Sequence, residues 1–271
     1  MIISSPALTF LRPHELLTRL TPSVVPRTKI SSSAVGEFRN DYECHVFTLA
    51  GFAGQPPVRD SAYLATMQQA IVTYVREHHL VKPVIVGHSL GGFLALSIAA
   101  SEPDLPGAIV NVDGLPFRGA MSDPTATVET SLPVAEKLRT MMRDADAATF
   151  AQGQEAQLRT MVRDTTYLPL LRAMGRVSDR ATMGEATYEL FTTDLRQRLA
   201  RVKAPVLNLH TWAQYAAYGM THENAVSMFG AQYTALGTGT MHINDTSYHF
   251  IQFDAPDWLY AEMRAFLNGR H

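Results

Sequence analysis

Cysteine, basic clusters and long apolar runs are all scarce in this sequence of 271 residues. Cys44 is the only cysteine, so an internal disulfide is excluded and a reducing, cytoplasmic compartment is expected. Lysine and arginine number 23 against 25 aspartates and glutamates, and no stretch concentrates the basic residues. This balance argues against nucleic acid or an anionic membrane as a partner. No apolar run approaches the roughly 18 residues of a membrane span.

Targeting and cofactor motifs are scarce as well. The opening residues have neither a basic segment nor an adequate apolar one, so we predict no signal peptide. HExxH and CxxC patterns do not occur, which argues against a zinc site, and no GxGxxG fingerprint indicates a dinucleotide fold. We therefore expect a protein without a metal or cofactor that acts on a small molecule.

Short apolar runs alternate with helical patterns, which predicts an α/β fold with a mainly parallel sheet. The chain is 46% hydrophobic and 18% charged, which suits one well-cored domain with an insertion. Helices are predicted over 61–79 and 258–267, where apolar residues recur at helical spacing. The predicted strands cover residues 44–49, 83–87, 108–112, 205–209 and, more weakly, 240–243.

The stretch from 116 to 203 contains no strand-like run. It is rich in alanine, methionine, arginine and threonine, and we expect its helical segments to break near Pro124, Pro133 and Gly153. We therefore divide the chain into a core, residues 1–115 and 204–271, and a helical insertion, residues 116–203.

One serine stands between a predicted strand and a predicted helix, in PVIVGHSLGGFLALS (83–97). Gly87 and Gly91 flank Ser89 and allow the strand and helix to approach closely, as a nucleophile elbow requires. Leu90 then presents its backbone N–H at the start of the helix, where a developing oxyanion is favoured. The alternative is a glycine-rich turn with an incidental serine.

Three segments resemble the α/β-hydrolase superfamily. GHSLGG (87–92) is similar to its nucleophile motif, SYHFIQFDAPDWLYAEMRAFL (247–267) to its histidine loop and last helix, and YECHVFTLAGFAGQPP (42–57) to its fourth strand and following turn. The resemblance implies an α/β-hydrolase-like, mainly parallel sheet flanked by helices, a helical cap over 116–203, and a short or divergent N-terminal region. It also implies serine esterase-like chemistry.

The general base is expected among the ten histidines, because a serine hydroxyl needs an adjacent base to become a nucleophile. His249 follows a polar loop and precedes the last helix, where the resembled family carries its base. His242 is a weaker rival, since it falls within a predicted strand. His88 is expected beside the elbow, either supporting it or lining the substrate pocket.

The acidic partner of the histidine is harder to choose. The family usually places it after the strand PVLNL, but Gln214 stands near that position in this chain. Asp113, at the end of the preceding strand, resembles the placement in haloalkane-dehalogenase-like and some lipase branches. Glu223 and Asp245 remain alternatives.

The second oxyanion donor is expected from a loop that the family places near residues 23–33, where Arg27 or its neighbours would supply the N–H. This stretch contains no His-Gly or Gly-Gly pair. Losing one oxyanion donor costs roughly 10²- to 10³-fold in rate. The departure therefore bears on whether the protein is active.

The predicted cap contains many methionines, which suit a pliable apolar pocket or simply pack helices. Trp212 and Tyr215 follow PVLNL and are expected to line that pocket.

We predict a serine carboxylesterase acting on a small or medium, largely uncharged ester through Ser89, His249 and Asp113. The alternatives are lactonase, amidase or aminopeptidase activity on the same fold, or a non-catalytic ligand-binding protein.

Overall fold

A six-stranded sheet forms the centre of the chain in a computed structural model that describes residues 7–13, 29–59 and 62–269. Its strands lie in the order β2-β1-β3-β4-β5-β6. Strands β3 to β6 are parallel, whereas β1 runs antiparallel to both β2 and β3. The strands are β1 (Ala7–Pro13), β2 (Tyr42–Thr48), β3 (Val84–His88), β4 (Ala108–Val112), β5 (Val206–Thr211) and β6 (Gly239–Asn244).

Helices occupy most of the remaining described chain. Four of them, α4 to α7, lie in sequence between β4 and β5. The helices are α1 (Lys29–Phe38), α2 (Tyr63–Glu77), α3 (Leu90–Ser101), α4 (Val128–Asp144), α5 (Ala147–Met161), α6 (Leu168–Arg176), α7 (Arg180–Thr192), α8 (His222–Gln232), α9 (Ile251–Asp254) and α10 (Pro256–Asn268). None of the helices in the described ranges is long and apolar enough to cross a membrane.

The sheet confirms the predicted α/β fold, and each predicted strand corresponds to an observed one. Strand β1 was not predicted from the sequence. Its position between β2 and β3, antiparallel to both, is the main departure from a parallel arrangement and lies in the part of the chain expected to diverge. The remaining strands are parallel because long helical segments connect them.

The central strands bury both faces, which explains their continuous apolar sequences. Along β3 and β4, Ile85 and Ile109 pack into a cluster with residues of α2 and α3. Their neighbours Val84 and Val110 face the opposite side, where α10 covers the sheet. Two layers of helices therefore hold the carboxyl ends of β3, β4 and β5 in fixed positions.

Two of the expected helix breaks are wrong. Helix α4 continues through Pro133, which lies in its second turn, where the missing N–H removes only one hydrogen bond. Helix α5 continues through Gly153, because Gln154 and Leu158 bury one side of the helix and offset the weak helix propensity of glycine. The expected break at Pro124 falls between two helical segments.

Candidate active site

Ser89 occupies a tight turn between β3 and α3. Its backbone has φ 56° and ψ −115°, a conformation that non-glycine residues rarely adopt and that costs about 1–3 kcal/mol. The turn is held by two backbone hydrogen bonds, from Ser89 N–H to the Val112 carbonyl at 2.8 Å and from Phe93 N–H to the Ser89 carbonyl at 3.0 Å. These two bonds hold Ser89 in its strained conformation at the end of β3, between the strand and the helix.

The glycines at the turn permit a backbone approach that no side chain would allow. A Cβ on Gly87 would lie 2.1 Å from the Gly91 carbonyl oxygen, and one on Gly92 would lie 2.1 Å from Asn111 Oδ1. The sequence pattern pointed to Gly87 and Gly91. In the structure Gly87 approaches the backbone of Gly91 itself, and Gly92 makes a further close approach, to Asn111.

We expect Gly87→Ala to lower the free energy of unfolding by about 1–3 kcal/mol, because the clash is with backbone and must shift the turn. Urea unfolding followed by circular dichroism measures this change. Gly153→Ala is the matched control, since its Cβ would meet nothing within 4 Å and alanine favours the helix. Equal unfolding midpoints for the two variants would contradict the close-approach explanation.

Asp113 and His249 form a hydrogen-bonded pair at the carboxyl edge of the sheet. Asp113 directly follows β4, and its Oδ2 lies 2.6 Å from His249 Nδ1. A carboxylate only accepts hydrogen bonds, so Nδ1 carries the proton and donates it. Nε2 of the neutral ring is then left with its lone pair, the form that a general base requires.

A second histidine, which the sequence analysis missed, contacts the same carboxylate. His210 near the end of β5 places Nδ1 3.3 Å from Asp113 Oδ1, and Thr211 N–H lies 3.4 Å from the same oxygen. The His210 side chain is completely buried, with Nε2 3.0 Å from the Tyr233 hydroxyl. Its signal in the sequence was its place at the end of a buried strand next to the one that carries Asp113.

These contacts determine the charge of Asp113. Burial raises the pKa of its carboxyl group, but the hydrogen bonds from His210 and His249, together with the electrostatic interaction with both rings, outweigh burial and hold the pKa well below its ordinary range. Asp113 is therefore ionised at neutral pH and accepts hydrogen bonds through both oxygens.

The backbone of His249 is held from two sides. His88 Nε2–H donates to the His249 carbonyl at 2.8 Å, and His249 N–H donates to Gln214 Oε1 at 2.6 Å. Burial and the nearby His249 lower the pKa of His88 to about 3, so its ring is neutral at pH 7. Gln214, found where an aspartate was expected, thus contacts the histidine backbone and leaves the ring to Asp113.

Ser89, Asp113 and His249 all line one cavity of about 280 Å³. Tyr215 also lines this cavity. His88 and Trp212 are not among its lining residues: His88 supports His249 from behind, and Trp212 Nε1 donates to Asp245 Oδ1 at 2.7 Å. The other lining residues are Phe93, Gly114, Leu115, Arg118, Met121, Gln157, Thr160, Met161, Leu190, Gln214, Tyr218 and Phe229.

The weaker candidates have other partners or lie elsewhere. His242 Nδ1 lies 2.6 Å from Glu262 Oε2, and Asp245 Oδ1 lies 2.6 Å from His222 Nδ1. Glu223 is exposed in the first turn of α8. None of these residues lines the cavity.

Of the two expected oxyanion donors, Leu90 lies among the described residues. Leu90 is buried and begins α3 directly after Ser89, so its N–H belongs to the first turn, whose amides have no carbonyl partner within the helix. Arg27 lies outside the described residues. Among the residues that are described, no group of histidine, cysteine, aspartate or glutamate side chains is arranged to hold a metal ion.

Some methionines of the insertion line the cavity, and others pack in the buried core. Met121 and Met161 line the cavity, whereas Met142 and Met183 are buried in the main core and Met174 in the cluster beneath α5 and α6. Only a minority of them therefore contribute to a pocket.

Comparison with known proteins agrees with this fold. Residues 29–262 match the sequence profile of a family described as "Alpha/beta hydrolase family". The fold is similar to that of MenH from S. aureus, with 15% identity, a TM-score of 0.71 and 90% of each chain covered. A search of curated protein sequences finds no match.

Two further solved structures are similar over most of their length. The enol-lactonase from Burkholderia xenovorans LB400 has 13% identity and a TM-score of 0.71, with 98% of each chain covered. A thermophilic esterase from Thermogutta terrifontis has 17% identity and a TM-score of 0.67, covering 90% of this chain and 86% of that one. At these identities the likeness concerns the fold.

Proposed function

This chain belongs to the alpha/beta hydrolase family, and within it we propose that the protein is a serine hydrolase that cleaves a small or medium carboxylic ester. One observation carries the proposal. The ionised Asp113 accepts a 2.6 Å hydrogen bond from His249 Nδ1, and both residues line the same cavity as Ser89, the strained residue of the turn.

In this mechanism Ser89 attacks the ester carbonyl while His249 Nε2 takes the hydroxyl proton. Asp113 keeps His249 in the required tautomer and stabilises the imidazolium that forms. The Leu90 N–H holds the developing oxyanion, and a second donor is expected from the segment around Arg27. His249 returns the proton to the departing alcohol, and water then releases the acyl group from Ser89.

The helices of residues 116–203 serve, in this proposal, as a cap over the site. Gln157, Thr160 and Met161 of α5 and Leu190 of α7 line the same cavity as Ser89. A cavity of about 280 Å³ is small for a ligand site, which favours a compact substrate.

Covalent labelling with a fluorophosphonate tests the proposal directly, because this reagent reacts with activated serines. We expect one adduct per chain by intact mass, mapped to Ser89 by peptide mass spectrometry, and protection by an ester substrate. Heat-denatured protein is the control and should not label. A folded chain that neither labels nor hydrolyses p-nitrophenyl butyrate would instead favour the non-catalytic, ligand-binding alternative.

A further inference from the structure

His210 is a completely buried histidine that the proposed mechanism does not use. Its ring stacks on Phe229 of α8, with ring centroids 4.4 Å apart and the two planes at 10°. It lies between Asp113 and the hydroxyl of Tyr233, which directly follows α8. A buried polar atom without a hydrogen bond costs free energy, so both ring nitrogens need partners, and these two residues supply them.

The partners of the two ring nitrogens assign a proton to Nδ1. This nitrogen lies 3.3 Å from Asp113 Oδ1, and an ionised carboxylate only accepts hydrogen bonds, so Nδ1–H is the donor. Nε2 lies 3.0 Å from the Tyr233 hydroxyl, which can donate as well as accept. Burial raises the pKa of Tyr233 well above its ordinary value, so the hydroxyl keeps a proton that it can give to Nε2 of a neutral ring.

A buried amide extends this network around Asp113. Asn111 Nδ2 lies 2.8 Å from the Gly114 carbonyl and 2.9 Å from the Tyr233 hydroxyl, and its third contact is Asn208 Oδ1 at 3.0 Å. Asn111 Oδ1 accepts from Gly114 N–H at 3.1 Å. Side chains from β4, β5 and the end of α8 therefore hold the chain on both sides of Asp113.

The backbone of Asp113 is strained and needs such support. Its φ is 51°, in the left-handed region, where a residue other than glycine persists only when its surroundings fix it. Its N–H donates to the Leu209 carbonyl at 2.7 Å, which ties the backbone to β5. The carboxylate plane is not fixed in this way, because the last torsion of an aspartate side chain has no sharply preferred value. Contacts to its two oxygens must therefore set its direction.

The contacts to the two oxygens are unequal in length. Oδ2 meets His249 Nδ1 at 2.6 Å, whereas Oδ1 meets His210 Nδ1 at 3.3 Å and Thr211 N–H at 3.4 Å. Both contacts to Oδ1 exceed the usual range of about 2.7–3.2 Å, so the two donors share the task of holding this oxygen. Without His210, Oδ1 would keep only the longer of the two, and the carboxylate could rotate away from His249.

We propose that His210 is a positioning residue for ester hydrolysis: its Nδ1–H holds Oδ1 of Asp113 so that Oδ2 stays directed at His249. This inference rests on the proposed function. His210 is not among the residues that line the cavity, so its effect on the reaction passes through Asp113. One carboxylate thus serves two histidines, His249 as the general base and His210 as the group that fixes the carboxylate.

Two amide substitutions separate the contributions of the two ring nitrogens. In His210→Asn the amide nitrogen is bonded to Cγ, as Nδ1 is, and can still donate to Asp113 Oδ1. In His210→Gln the amide lies one bond further out, where Nε2 contacts Tyr233, and the donor to Oδ1 is lost. We expect His210→Gln to lower kcat for p-nitrophenyl butyrate by about 10-fold or more with little change in KM. His210→Asn should retain a larger part of the wild-type kcat.

His242→Gln is the control, because His242 also contacts a carboxylate, that of Glu262, but lies outside the cavity. It should leave kcat unchanged. Circular dichroism and urea unfolding establish that each variant is folded before the rates are compared. Equal losses of kcat in the two His210 variants, or no loss in His210→Gln, would overturn the inference, since packing against Phe229 does not depend on which nitrogen is retained.

Nitrogen-15 NMR of wild-type protein labelled at histidine tests the same contact without a variant or turnover. We expect His210 Nδ1 to carry a proton that exchanges slowly with solvent, because the ring is buried. An unprotonated Nδ1 could not donate to Asp113 and would overturn the inference. The Nδ1–H tautomer of His249 should be less populated in His210→Gln than in the wild type, whereas His210→Asn should preserve it.

The NMR and rate measurements together separate this inference from the proposed function. A chain that hydrolyses no ester, but in which the tautomer of His249 depends on the donor at position 210, would support the positioning role and reject the hydrolase. Hydrolysis by Ser89 at a rate that His210→Gln leaves unchanged would do the opposite.

Discussion

Replacing Ser89 with alanine is expected to lower kcat for ester hydrolysis by about 10⁴-fold or more, because the proposed mechanism forms the acyl-enzyme on the Ser89 hydroxyl. Steady-state hydrolysis of p-nitrophenyl butyrate measures this loss, with active-site labelling recorded on the same samples. Ser101→Ala on the same helix is the control, since Ser101 Oγ contacts Gln68 and a carbonyl within α3, away from the cavity. It should retain the wild-type rate.

The strained backbone at Ser89 also predicts how substitutions there affect stability. Alanine retains the Cβ and therefore the strain at φ 56°, so Ser89→Ala should unfold at nearly the wild-type urea concentration. Ser89→Gly relieves that strain and should be more stable than Ser89→Ala by about 1 kcal/mol, while remaining inactive. Substantial turnover in either folded variant would mean that Ser89 is not the nucleophile.

Asp113→Asn is expected to reduce kcat by about 10³- to 10⁴-fold with little change in KM. The reason is that both carboxylate oxygens are in use: Oδ2 accepts from His249, and Oδ1 lies within reach of both His210 Nδ1 and Thr211 N–H. An amide has only one acceptor oxygen, which the two donors near Oδ1 would take. Its NH₂ group would then face His249 Nδ1 and favour the wrong tautomer.

Asp245→Asn is the matched control, because Asp245 also binds a histidine but lies outside the cavity, and it should leave kcat unchanged. The stability difference between wild type and Asp113→Asn should depend on pH. Because folding lowers the pKa of Asp113, its ionised form stabilises the folded chain above about pH 4, and this contribution is lost as pH falls further. Wild-type turnover by Asp113→Asn would exclude Asp113 as the acidic partner.

Local sequence was enough to predict most of the sheet and the turn at Ser89. Strands β3, β4 and β5 are short apolar runs whose two faces are both buried, and this pattern can be read without knowing what covers them. The need for glycine at position 87 is equally local, since a Cβ there would meet the backbone of Gly91 in the same turn. The antiparallel β1 was not predictable in this way, because its direction depends on partners far along the chain.

The residues that contact His249 come from separate parts of the sequence. From the sequence alone, the candidates for its acidic partner could be ordered by preference but not decided. Asp113 follows β4 and His249 follows β6, and the two meet because the sheet order places β4 and β6 on either side of β5. That same order brings His210 to the second carboxylate oxygen and lets Gln214 reach the His249 backbone. The place of His210 at the end of a buried strand was a signal that it lies near Asp113, but the spacing and composition of the sequence could not assign either contact.

The sequence by itself determined the α/β architecture, the elbow at Ser89 and the short list of histidines and acids from which a site could be assembled. Only the tertiary structure decided which of them meet, which methionines pack rather than line a pocket, and that Arg118 enters the cavity wall. The physical reason is the distance along the sequence between the residues that interact. The burial pattern of a strand and the geometry of a turn depend on residues that are neighbours in the sequence. The charge and shape of a cavity depend on how strands and helices from distant parts of the sequence pack together.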